Sequence, residues 1–374
     1  MKTFKYRLRP SKHQPTQLVQ TLELCRWVYN ETLVARKNSW EQDHTSLSLY
    51  DTNKLLPLWK RSHPELRNVY SQVLQNVQER LDLAFKAFFR RVKADEKPGY
   101  PRFRGHGRYD SFTFKQFGFE LLQKGLFLSK IGIVKIILHR PVEGKIKTLT
   151  IQRDGLGNWY ACFACEVEVE RLPSNELAVG VDVGLDSFAT LSNGVKIANP
   201  RFFRRDESEL AKAQRKLSQT PKGTPERAKR RKAVQHIHQR IANRRHDFAH
   251  QVSRELVNHF GWIAFEDLNT KGMLQNHCLA KSIADAAWCQ LIASTTYKAE
   301  NAGRVVVLVD PRNTSRQCSR CGTMVEKSLS VRVHTCPECG LIMDRDQNAA
   351  INILGLGLQS LGFALEAPAF RRGE

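Results

Sequence analysis

Four cysteines near the end of the chain constrain its fold more than any other feature of the sequence. They follow the spacing C-x2-C-x14-C-x2-C, and a glycine comes directly after each pair. The cysteines are Cys318, Cys321, Cys336 and Cys339. Each C-x2-C pair turns the chain tightly, so that four thiolates can surround one Zn²⁺ ion as a tetrahedron. Because every ligand position is then filled, we predict one structural zinc whose binding free energy contributes to folding; unliganded thiols are the alternative.

The remaining cysteines do not indicate disulfide bonds. The total of nine is odd, and the other five are scattered along the chain. A disulfide framework is typical of small secreted domains, and this chain is not one of them. Cys162 and Cys165 lie close together but have no partner pair, so we interpret both as core residues of a strand.

The charge of the chain is strongly positive and unevenly distributed. Lys and Arg number 59 against 37 Asp and Glu, which gives a formal net charge of +22. Residues 211–245 contain twelve Lys or Arg and one acidic residue, Glu226. A solvated helix face, the alternative, usually mixes both signs, whereas a block of one sign suits phosphate groups. The cations that we expect to bind nucleic acid here are Lys229, Arg230, Arg231, Lys232 and Arg240.

No segment predicts a membrane partner. The longest aliphatic run, Val305 to Val309, is far shorter than the roughly 20 residues of a membrane span. The basic N-terminus, MKTFKYRLRP, lacks the apolar stretch of a secretory signal. Because the hydrophobic content is 41%, the chain can bury a core, and we expect a folded cytoplasmic protein.

The first half of the sequence predicts a β domain that is interrupted by helices. Residues 3–9 alternate between apolar and polar side chains, as in a strand, whereas apolar residues recur at helical spacing over 11–97. A loop rich in Gly, Pro and Arg follows at 98–110, and short alternating segments come after it. We therefore predict a β-barrel or sandwich formed by 1–10 and 98–174, with a helical bundle inserted between them.

The loop that follows the helices is a second candidate surface for nucleic acid. Arg102, Phe103 and Arg104 place cations beside an aromatic ring, and Tyr100 and Tyr109 lie nearby in the sequence. Guanidinium groups contact phosphates, and aromatic rings stack on bases. An ordinary basic loop is the alternative interpretation.

Three carboxylates in the second half are the candidate catalytic residues. Asp182 lies within an apolar strand, Glu266 ends another, and Asp346 lies where the last helix is predicted to begin. A charge inside an apolar strand costs several kcal/mol unless it is paired or binds a metal. If the two strands are neighbours in a sheet, the three carboxylates converge. Each pair would then repel by roughly 4 kcal/mol at an effective dielectric near 20.

Divalent cations would make such a cluster favourable. Hard oxygen ligands suit Mg²⁺ or Mn²⁺, and two such ions about 3.5–4 Å apart activate a water and stabilise the leaving oxygen of a phosphodiester.

Each carboxylate also has another interpretation. Asp182 could be a turn residue, Glu266 an ion-pair partner of the basic helix, and Asp344 or Asp346 a helix N-cap.

In the second half, the predicted elements are a strand with Asp182, a β-meander, the basic helix, a strand that ends in Glu266, another strand and a helix that starts at Asp346. This is the order of a ribonuclease H-like fold. The C-terminal half, about 178–356, also resembles the RuvC-like nuclease domain of the TnpB family, transposon-encoded RNA-guided DNA endonucleases related to type V CRISPR effectors. The matching stretches are GVDVGLDSFATLSNG, IAFEDLNTKGM, LAKSIADAAW, DPRNTSRQCSRCG, CPECG and DRDQNAAINIL. Looser matches in the N-terminal half are YRLRPSKHQ, CRWVYNETL and PRFRGHGRYDSFTF. The chain has GVDVG where the family more often has GIDLG.

The resemblance implies how the domains are arranged along the chain. It implies a multidomain α/β protein whose RuvC-like nuclease domain consists of 175–312 and 341–374. A basic helical insertion lies at about 205–260, and a zinc ribbon at 313–340 separates the last strand from the last helix. The β-barrel of the first half corresponds to the family's wedge domain, and the inserted helices at 11–97 correspond to its recognition domain.

The resemblance also implies an activity and partners. Asp182, Glu266 and Asp346 match the family's catalytic positions and would bind two Mg²⁺ ions. A structured guide RNA from the transposon end would pair with double-stranded DNA beside a short motif that the protein reads. We expect one copy of the chain in the RNA complex.

Three other functions are alternatives to this one. A nuclease-inactive, RNA-guided DNA-binding regulator would be favoured by loss of a catalytic carboxylate, whereas all three are present. A transposase, or an accessory protein of transposition, could use the same metal centre for strand transfer. A transposase with a tyrosine nucleophile would pair that tyrosine with a His-x-His motif in a compact separate domain. In this chain, His236 and His238 lie within the basic helix instead. A zinc-ribbon transcription factor would leave the three carboxylates unexplained.

Overall fold

The chain folds into two compact units. The structure is a computed structural model, and it describes residues 1–169, 171–328 and 331–362. The first unit is Met1–Glu168, and the second begins at Val169. Residues 363–374, which the predicted nuclease segment 341–374 includes, lie outside the described residues. Within the described ranges, no helix is long and apolar enough to cross a membrane.

Seven strands form one sheet in the first unit. They are β1 (Lys2–Arg9), β2 (Ser111–Phe114), β3 (Phe119–Leu122), β4 (Gly125–Leu128), β5 (Gly132–Ile137), β6 (Lys145–Arg153) and β7 (Trp159–Glu166). Their order across the sheet is β2-β6-β7-β1-β5-β4-β3. The first strand, β1, pairs antiparallel with both β7 and β5, which confirms the prediction that it joins this sheet.

The sheet of the first unit is close to a barrel. Its inner face follows the two-residue period of a strand, because Phe4, Tyr6 and Leu8 of β1 are all buried. A short loop joins the edge strands β2 and β3, and the rings of Phe114 and Phe119 lie 6.1 Å apart. Among the residues that the structure describes, no ladder pairs β2 with β3. Hydrogen bonds therefore do not close the predicted barrel at this edge.

The two cysteines of β7 differ in their burial. Positions three apart on a strand face opposite sides of the sheet. Cys165 lies in the core, as predicted, whereas Cys162 is half-buried on the other face. The interpretation of both as core residues was wrong for Cys162, because it did not apply the two-residue period of the strand.

Helices cover part of this sheet. They are α1 (Gln14–Asp43), α2 (Leu49–Ser62) and α3 (Ser71–Lys93), and a 3-10 helix (Pro64–Asn68) connects the last two. The apolar residues of the helices share one core with the strands, and Leu18, Val77 and Leu81 are among them. The helical spacing read from the sequence over 11–97 thus corresponds to helices in the structure.

The second unit is built on a five-stranded sheet. Its strands are β8 (Ala178–Val183), β9 (Ser187–Leu191), β10 (Lys196–Ala198), β11 (Trp262–Glu266) and β12 (Val305–Val309). Their order is β10-β9-β8-β11-β12. Strands β8, β11 and β12 are parallel, whereas β9 runs antiparallel to both of its neighbours. The strands that carry Asp182 and Glu266 are therefore neighbours, which is the condition for their side chains to converge.

Helices and a small ribbon complete the described part of the second unit. The helices are α4 (Phe202–Ser218), α5 (Pro225–His259), α6 (Thr270–Met273), α7 (Ala280–Ala286), α8 (Trp288–Ala302) and α9 (Arg345–Ser360). The ribbon consists of β13 (Val333–Thr335) and β14 (Ile342–Asp344). Leu210 of α4 packs against Ile237 and Ile241 of α5, so the predicted basic insertion contains a pair of packed helices.

Helix α9 approaches the five-stranded sheet closely enough to require glycine at the contact. A Cβ atom added to Gly180 of β8 would lie 2.0 Å from the backbone oxygen of Ala350. A Cβ atom at Gly357 of α9 would lie 2.7 Å from the Cβ of Ala264 in β11. Ile353, between these contacts, is fully buried. This packing fixes α9 against the two strands that carry the candidate carboxylates.

Candidate functional site

Asp182 is the centre of a group of carboxylates. It lies on β8 between two buried valines and pairs across the sheet with Thr190 of β9. Burial raises the pKa of Asp182 well above its usual range, and the negative charges of Glu266 and Asp346 raise it further. The structure therefore brings the three carboxylates of the sequence prediction into one electrostatic group.

Glu266 lies at the C-terminal end of β11, next to β8. It is 7% exposed, and burial raises its pKa, although a hydrogen bond from Thr314 acts in the opposite direction. The Thr314 hydroxyl donates this bond to Oε1 of Glu266 at 2.6 Å. The carboxylate is thus held by a hydroxyl on the loop that follows β12.

Asp346 lies in the first turn of α9 and is held by arginine. The Nε and Nη2 atoms of Arg345 donate to its Oδ1 atom at 3.0 and 2.8 Å. Nη1 of Arg332 lies 3.9 Å from the other oxygen, Oδ2. Asp346 therefore has two arginines beside it, whereas Asp182 and Glu266 lie on largely apolar strands.

Asp344 caps α9, and its charge is a further one that raises the pKa of Asp182. Its Oδ1 atom accepts hydrogen bonds from the backbone N–H groups of Asp346 and Gln347, both at 3.1 Å. Lys196 donates to Oδ2 at 2.6 Å. Burial opposes ionisation of Asp344, but the lysine and the two N–H groups outweigh it and lower its pKa. Of the two aspartates that could be the N-cap, the structure shows Asp344 in that position.

The three carboxylates form a donor set that suits a divalent cation. Hard carboxylate oxygens are the ligands that Mg²⁺ and Mn²⁺ prefer. Burial is the main cause of the raised pKa of both Asp182 and Glu266, and a bound cation would favour the ionised form of each. In the described part of the chain, however, only the four cysteines offer three or more ligand atoms that all lie within 4.8 Å of one another. The carboxylate oxygens are therefore more widely spaced than the thiols.

The four cysteines form a compact cluster that could hold a metal ion. Their sulfur atoms lie within 4.8 Å of one another. Cys318 and Cys339 are 3.6 Å apart, and Cys321 and Cys336 are 3.5 Å apart, measured between Sγ atoms. A tetrahedron with metal–sulfur bonds of about 2.3 Å has edges of about 3.8 Å, close to these separations. All four cysteines are free of disulfide bonds.

Two similar turns position the thiols. The backbone N–H of Gly322 donates to the oxygen of Cys318 at 2.9 Å, and that of Gly340 donates to Cys336 at 3.1 Å. Both glycines have positive φ angles, 78° and 69°, which other residues adopt with strain. Hydrogen bonds with Thr323 lower the pKa of the Cys321 thiol to about 6, whereas burial and the neighbouring sulfur atoms raise that of the Cys339 thiol. The glycine after each C-x2-C pair thus completes the turn that the spacing predicted.

The loop with Arg102, Phe103 and Arg104 is exposed but held at one point. Phe103 is 55% exposed. The backbone N–H of Arg104 donates to Oδ1 of Asn30 at 2.9 Å, and the Asn30 amide donates back to the Arg104 oxygen at 3.0 Å. The Arg104 guanidinium lies 5.6 Å from the ring centroid of Tyr29. Helix α1 thus anchors this loop while leaving its cations and its aromatic ring accessible.

The predicted cations of α5 are not equivalent. Lys229, Arg231 and Lys232 are exposed, whereas Arg230 forms an ion pair with Glu226 at 2.7 Å. Arg240 donates to Asp206 at 2.9 Å and also to Glu209. The guanidinium of Arg240 is therefore engaged in joining α5 to α4, and the accessible charge lies nearer the start of α5.

Comparison with protein families gives three matches along the chain. Residues 162–277 match a family described as "Probable transposase", and residues 288–353 match the "Cas12f1-like, TNB domain". Residues 1–45 match a "Helix-turn-helix domain", although the structure forms β1 and the whole of the 30-residue helix α1 there.

Relatives match nearly the whole length of the chain. A "Putative RNA-guided DNA endonuclease" from Streptomyces pristinaespiralis is 37% identical, and the match covers 96% of this chain and 89% of the relative. The protein InsQ of Escherichia coli (strain K12), with the same description, is 30% identical over 96% of this chain and 92% of its own. Other relatives, from Acanthamoeba polyphaga mimivirus, are named TnpB-like proteins. The chain belongs to the TnpB family.

A solved structure shares the fold of this TnpB-family chain. The mini-RNA-guided endonuclease CRISPR-Cas_phi3 aligns with a TM-score of 0.51 over 98% of this chain and 93% of its own. The sequence identity is 10%, so the likeness concerns the fold alone.

Some residues of the site were not found from the sequence. Thr314, Arg345 and Lys196 contact the acidic residues, yet none of them was singled out. Arg345 had a local signal, since it lies between two aspartates in the stretch DRD. Thr314 and Lys196 reach their partners only through the tertiary fold, across 48 and 148 residues.

Proposed function

We propose that this TnpB-family chain is an RNA-guided endonuclease that cuts double-stranded DNA beside a short flanking motif. One observation carries the nuclease part of the proposal. Adjacent parallel strands and the first turn of α9 bring Asp182, Glu266 and Asp346 into one electrostatic group. The names of the two full-length relatives support an RNA guide and a DNA substrate.

The proposal includes a RuvC-like arrangement of the second unit. The sheet order, with the first strand central and the fourth and fifth parallel to it, supports a ribonuclease H-like fold. We assign the nuclease domain to 175–312 and 341–374, with the zinc ribbon at 313–340. In the first unit, 1–10 and 98–174 would form the wedge domain around the helices at 11–97.

We propose that Asp182, Glu266 and Asp346 together bind Mg²⁺ or Mn²⁺. Two such ions, when bound, supply activation of a water and stabilisation of the leaving oxygen as the phosphodiester bond breaks. Asp182 is fixed within the sheet, Glu266 is oriented by Thr314, and Asp346 is oriented by Arg345. Glu266 is buried, which limits the access of bulk water to its oxygens, whereas Asp182 is half-buried.

The remaining predicted residues have roles in this proposal. The four cysteines would hold one structural Zn²⁺. Lys229, Arg231 and Lys232 would contact phosphates from the exposed face of α5, and the loop at 102–104 would add two cations and a ring for stacking. Arg230 and Arg240 would act mainly through their ion pairs. One copy of the chain would bind one guide RNA, in the cytoplasm.

The test is to purify the protein from a host that also transcribes the native transposon end. The RNA that copurifies would be sequenced, and the complex would be incubated with Mg²⁺ and a plasmid library carrying the matching target beside randomised flanks. We expect a defined RNA and target-dependent cleavage that EDTA abolishes and that Asp182→Asn lacks. Target binding without cleavage by the wild type would identify a nuclease-inactive regulator, and absence of an enriched RNA would reject the RNA guide.

A further inference from the structure

Thr314 links the candidate metal centre to the rest of the second unit. Its hydroxyl lies 2.6 Å from Oε1 of Glu266, and both residues are buried, at 2% and 7% exposure. We propose that Thr314 is a positioning residue that orients the Glu266 carboxylate for a divalent cation. The inference rests on the proposed function, because it concerns the same carboxylate site.

The hydroxyl fixes one carboxylate oxygen and leaves the other available. A buried glutamate has several rotamers, and only those that point an oxygen at the shared site allow it to bind an ion beside Asp182. A donor at 2.6 Å on Oε1 selects one orientation of the carboxylate. Hydrogen-bond partners of metal ligands act in this way generally, and their loss typically lowers metal affinity or activity about 10- to 100-fold.

Helix α9 holds the loop that carries Thr314. Nδ2 of Asn352 donates to the backbone oxygens of Thr314 and Gln317 at 2.8 and 2.7 Å. Asn348, which is fully buried, donates to the oxygen of Gln317 at 2.7 Å and accepts from the N–H of Ser319 at 2.9 Å. The helix that supplies Asp346 therefore also sets the position of the residue that orients Glu266.

The same loop leads directly into the cysteine cluster. Cys318 lies between Gln317 and Ser319, both of which α9 holds through side-chain amides. A metal ion on the four cysteines would therefore fix the loop from one side while α9 fixes it from the other. This arrangement gives the cluster a role in shaping the carboxylate site in addition to stabilising its own fold.

A purely structural role for Thr314 makes a different prediction. The hydroxyl also lies 3.1 Å from the backbone oxygen of Pro311, so it could serve only to close the turn after β12. A hydroxyl has one proton, and the shorter contact is the one to Glu266. If the turn were its only role, loss of the hydroxyl would lower the melting temperature without changing metal binding.

The test compares three substitutions at one position. Thr314→Val keeps the shape and removes the hydroxyl, whereas Thr314→Ser keeps the hydroxyl and removes a methyl group. Mn²⁺ binding to the purified chain, with its zinc retained, would be followed by electron paramagnetic resonance. We expect Thr314→Val to weaken Mn²⁺ binding about 10- to 100-fold, and we expect Thr314→Ser to bind Mn²⁺ about as tightly as the wild type. If Val does not fold, Thr314→Ala replaces it, since Ala and Ser differ only in the hydroxyl.

The outcomes separate this inference from the proposed function. Equal Mn²⁺ affinity in the wild type, Ser and the hydroxyl-free variant would overturn the positioning role, even if the melting temperature fell. Absence of Mn²⁺ binding by the wild type, or binding that Asp182→Asn leaves unchanged, would instead reject the carboxylate metal centre. The Mg²⁺ concentration for half-maximal cleavage should rise in the same order as the Mn²⁺ dissociation constants.

Discussion

Asp182 has a carboxyl whose ionised form is disfavoured in the protein without a divalent cation. Its carboxyl lies on β8 between two buried valines, and ionisation would place its charge near those of Glu266 and Asp346. The raised pKa of Asp182 means that the folded state prefers to keep the proton. A bound cation would remove this preference, so the same feature that destabilises the metal-free site favours metal binding.

We expect the metal-free protein to lose stability as the pH rises through the raised pKa of Asp182. A carboxyl whose pKa is higher in the folded than in the unfolded state stabilises the fold fully below the unfolded pKa. That contribution disappears as the pH rises through the folded pKa. Over this range the free energy of unfolding falls by at most about 1.4 kcal/mol per pH unit. Asp182→Asn cannot ionise and should remove this slope. Urea unfolding in EDTA across a pH series measures the difference.

The control for this experiment removes a carboxylate from the surface. Asp186 lies in the turn after β8, and its side chain is 63% exposed. Asp186→Asn should therefore keep the slope of the wild type, and Mg²⁺ should reduce the slope in both proteins. Parallel profiles for the wild type and Asp182→Asn would show that Asp182 is not the residue responsible.

The residues of the site differ in how far the sequence could reveal them. Each of the two strand carboxylates interrupts or ends an apolar segment, and this local contrast is visible without a structure. Thr314 has no such contrast, because it lies in a polar loop where many hydroxyls occur. Its importance comes from a contact across 48 residues that only the packing of α9 creates.

At the scale of elements, the contact between β8 and α9 decides whether the carboxylates meet. Asp182 lies on β8 and Asp346 lies on α9. The two elements can approach each other closely because position 180 of β8 is a glycine, and a larger residue there would push them apart. We expect Gly180→Ala to destabilise the protein by at least about 1–3 kcal/mol, because its Cβ would lie 2.0 Å from a backbone oxygen that cannot move aside easily. Thermal unfolding measures the loss. Gly155→Ala is the matched control, since nothing lies within 4 Å of its added Cβ, and an equal loss there would contradict the argument.

The basic face of α5 makes a prediction about salt dependence. Replacing Lys229, Arg231 and Lys232 with glutamine should weaken nucleic-acid binding. The slope of log K against log salt should become less steep by about 0.9 for each phosphate contact to double-stranded DNA that is lost. The exchange of Lys for Arg and Arg for Lys at the three positions keeps the charge and serves as the control. Unchanged slopes in the glutamine variant would indicate a solvated face instead.

The secondary structure was more predictable than the closure and packing of the sheets. In the sequence, Thr224 followed by Pro225 is a favourable start for a helix, and in the structure the Thr224 hydroxyl accepts from the N–H of Arg227 at 3.2 Å. The alternation of residues 3–9 predicted a strand of this sheet, whereas its pairing with β7 and β5 is known only from the structure. Whether β2 and β3 would close the barrel depends on the twist of seven strands together, and no local pattern contains that information.

At the scale of the whole molecule, the two units have separate cores. One cluster of buried residues lies entirely within Met1–Glu168, and the clusters built from the five-stranded sheet and the cysteines lie after Val169. A metal ion on the cysteines would therefore stabilise one unit and not the other. Its contribution could be large, since structural zinc sites in model peptides bind with roughly 10–16 kcal/mol.

We therefore expect calorimetry to resolve two unfolding transitions, of which only one depends on the cysteine metal. Cys336→Ser should release about one zinc per chain and lower the transition of the second unit by at least about 10 °C, since each kcal/mol shifts a unit of this size by roughly 2–4 °C. The transition of the first unit should stay in place. Cys278→Ser, which removes an exposed thiol outside the cluster, should change neither zinc content nor either transition. If Cys336→Ser shifted both transitions together, the two units would unfold as one, and the metal would stabilise the whole chain.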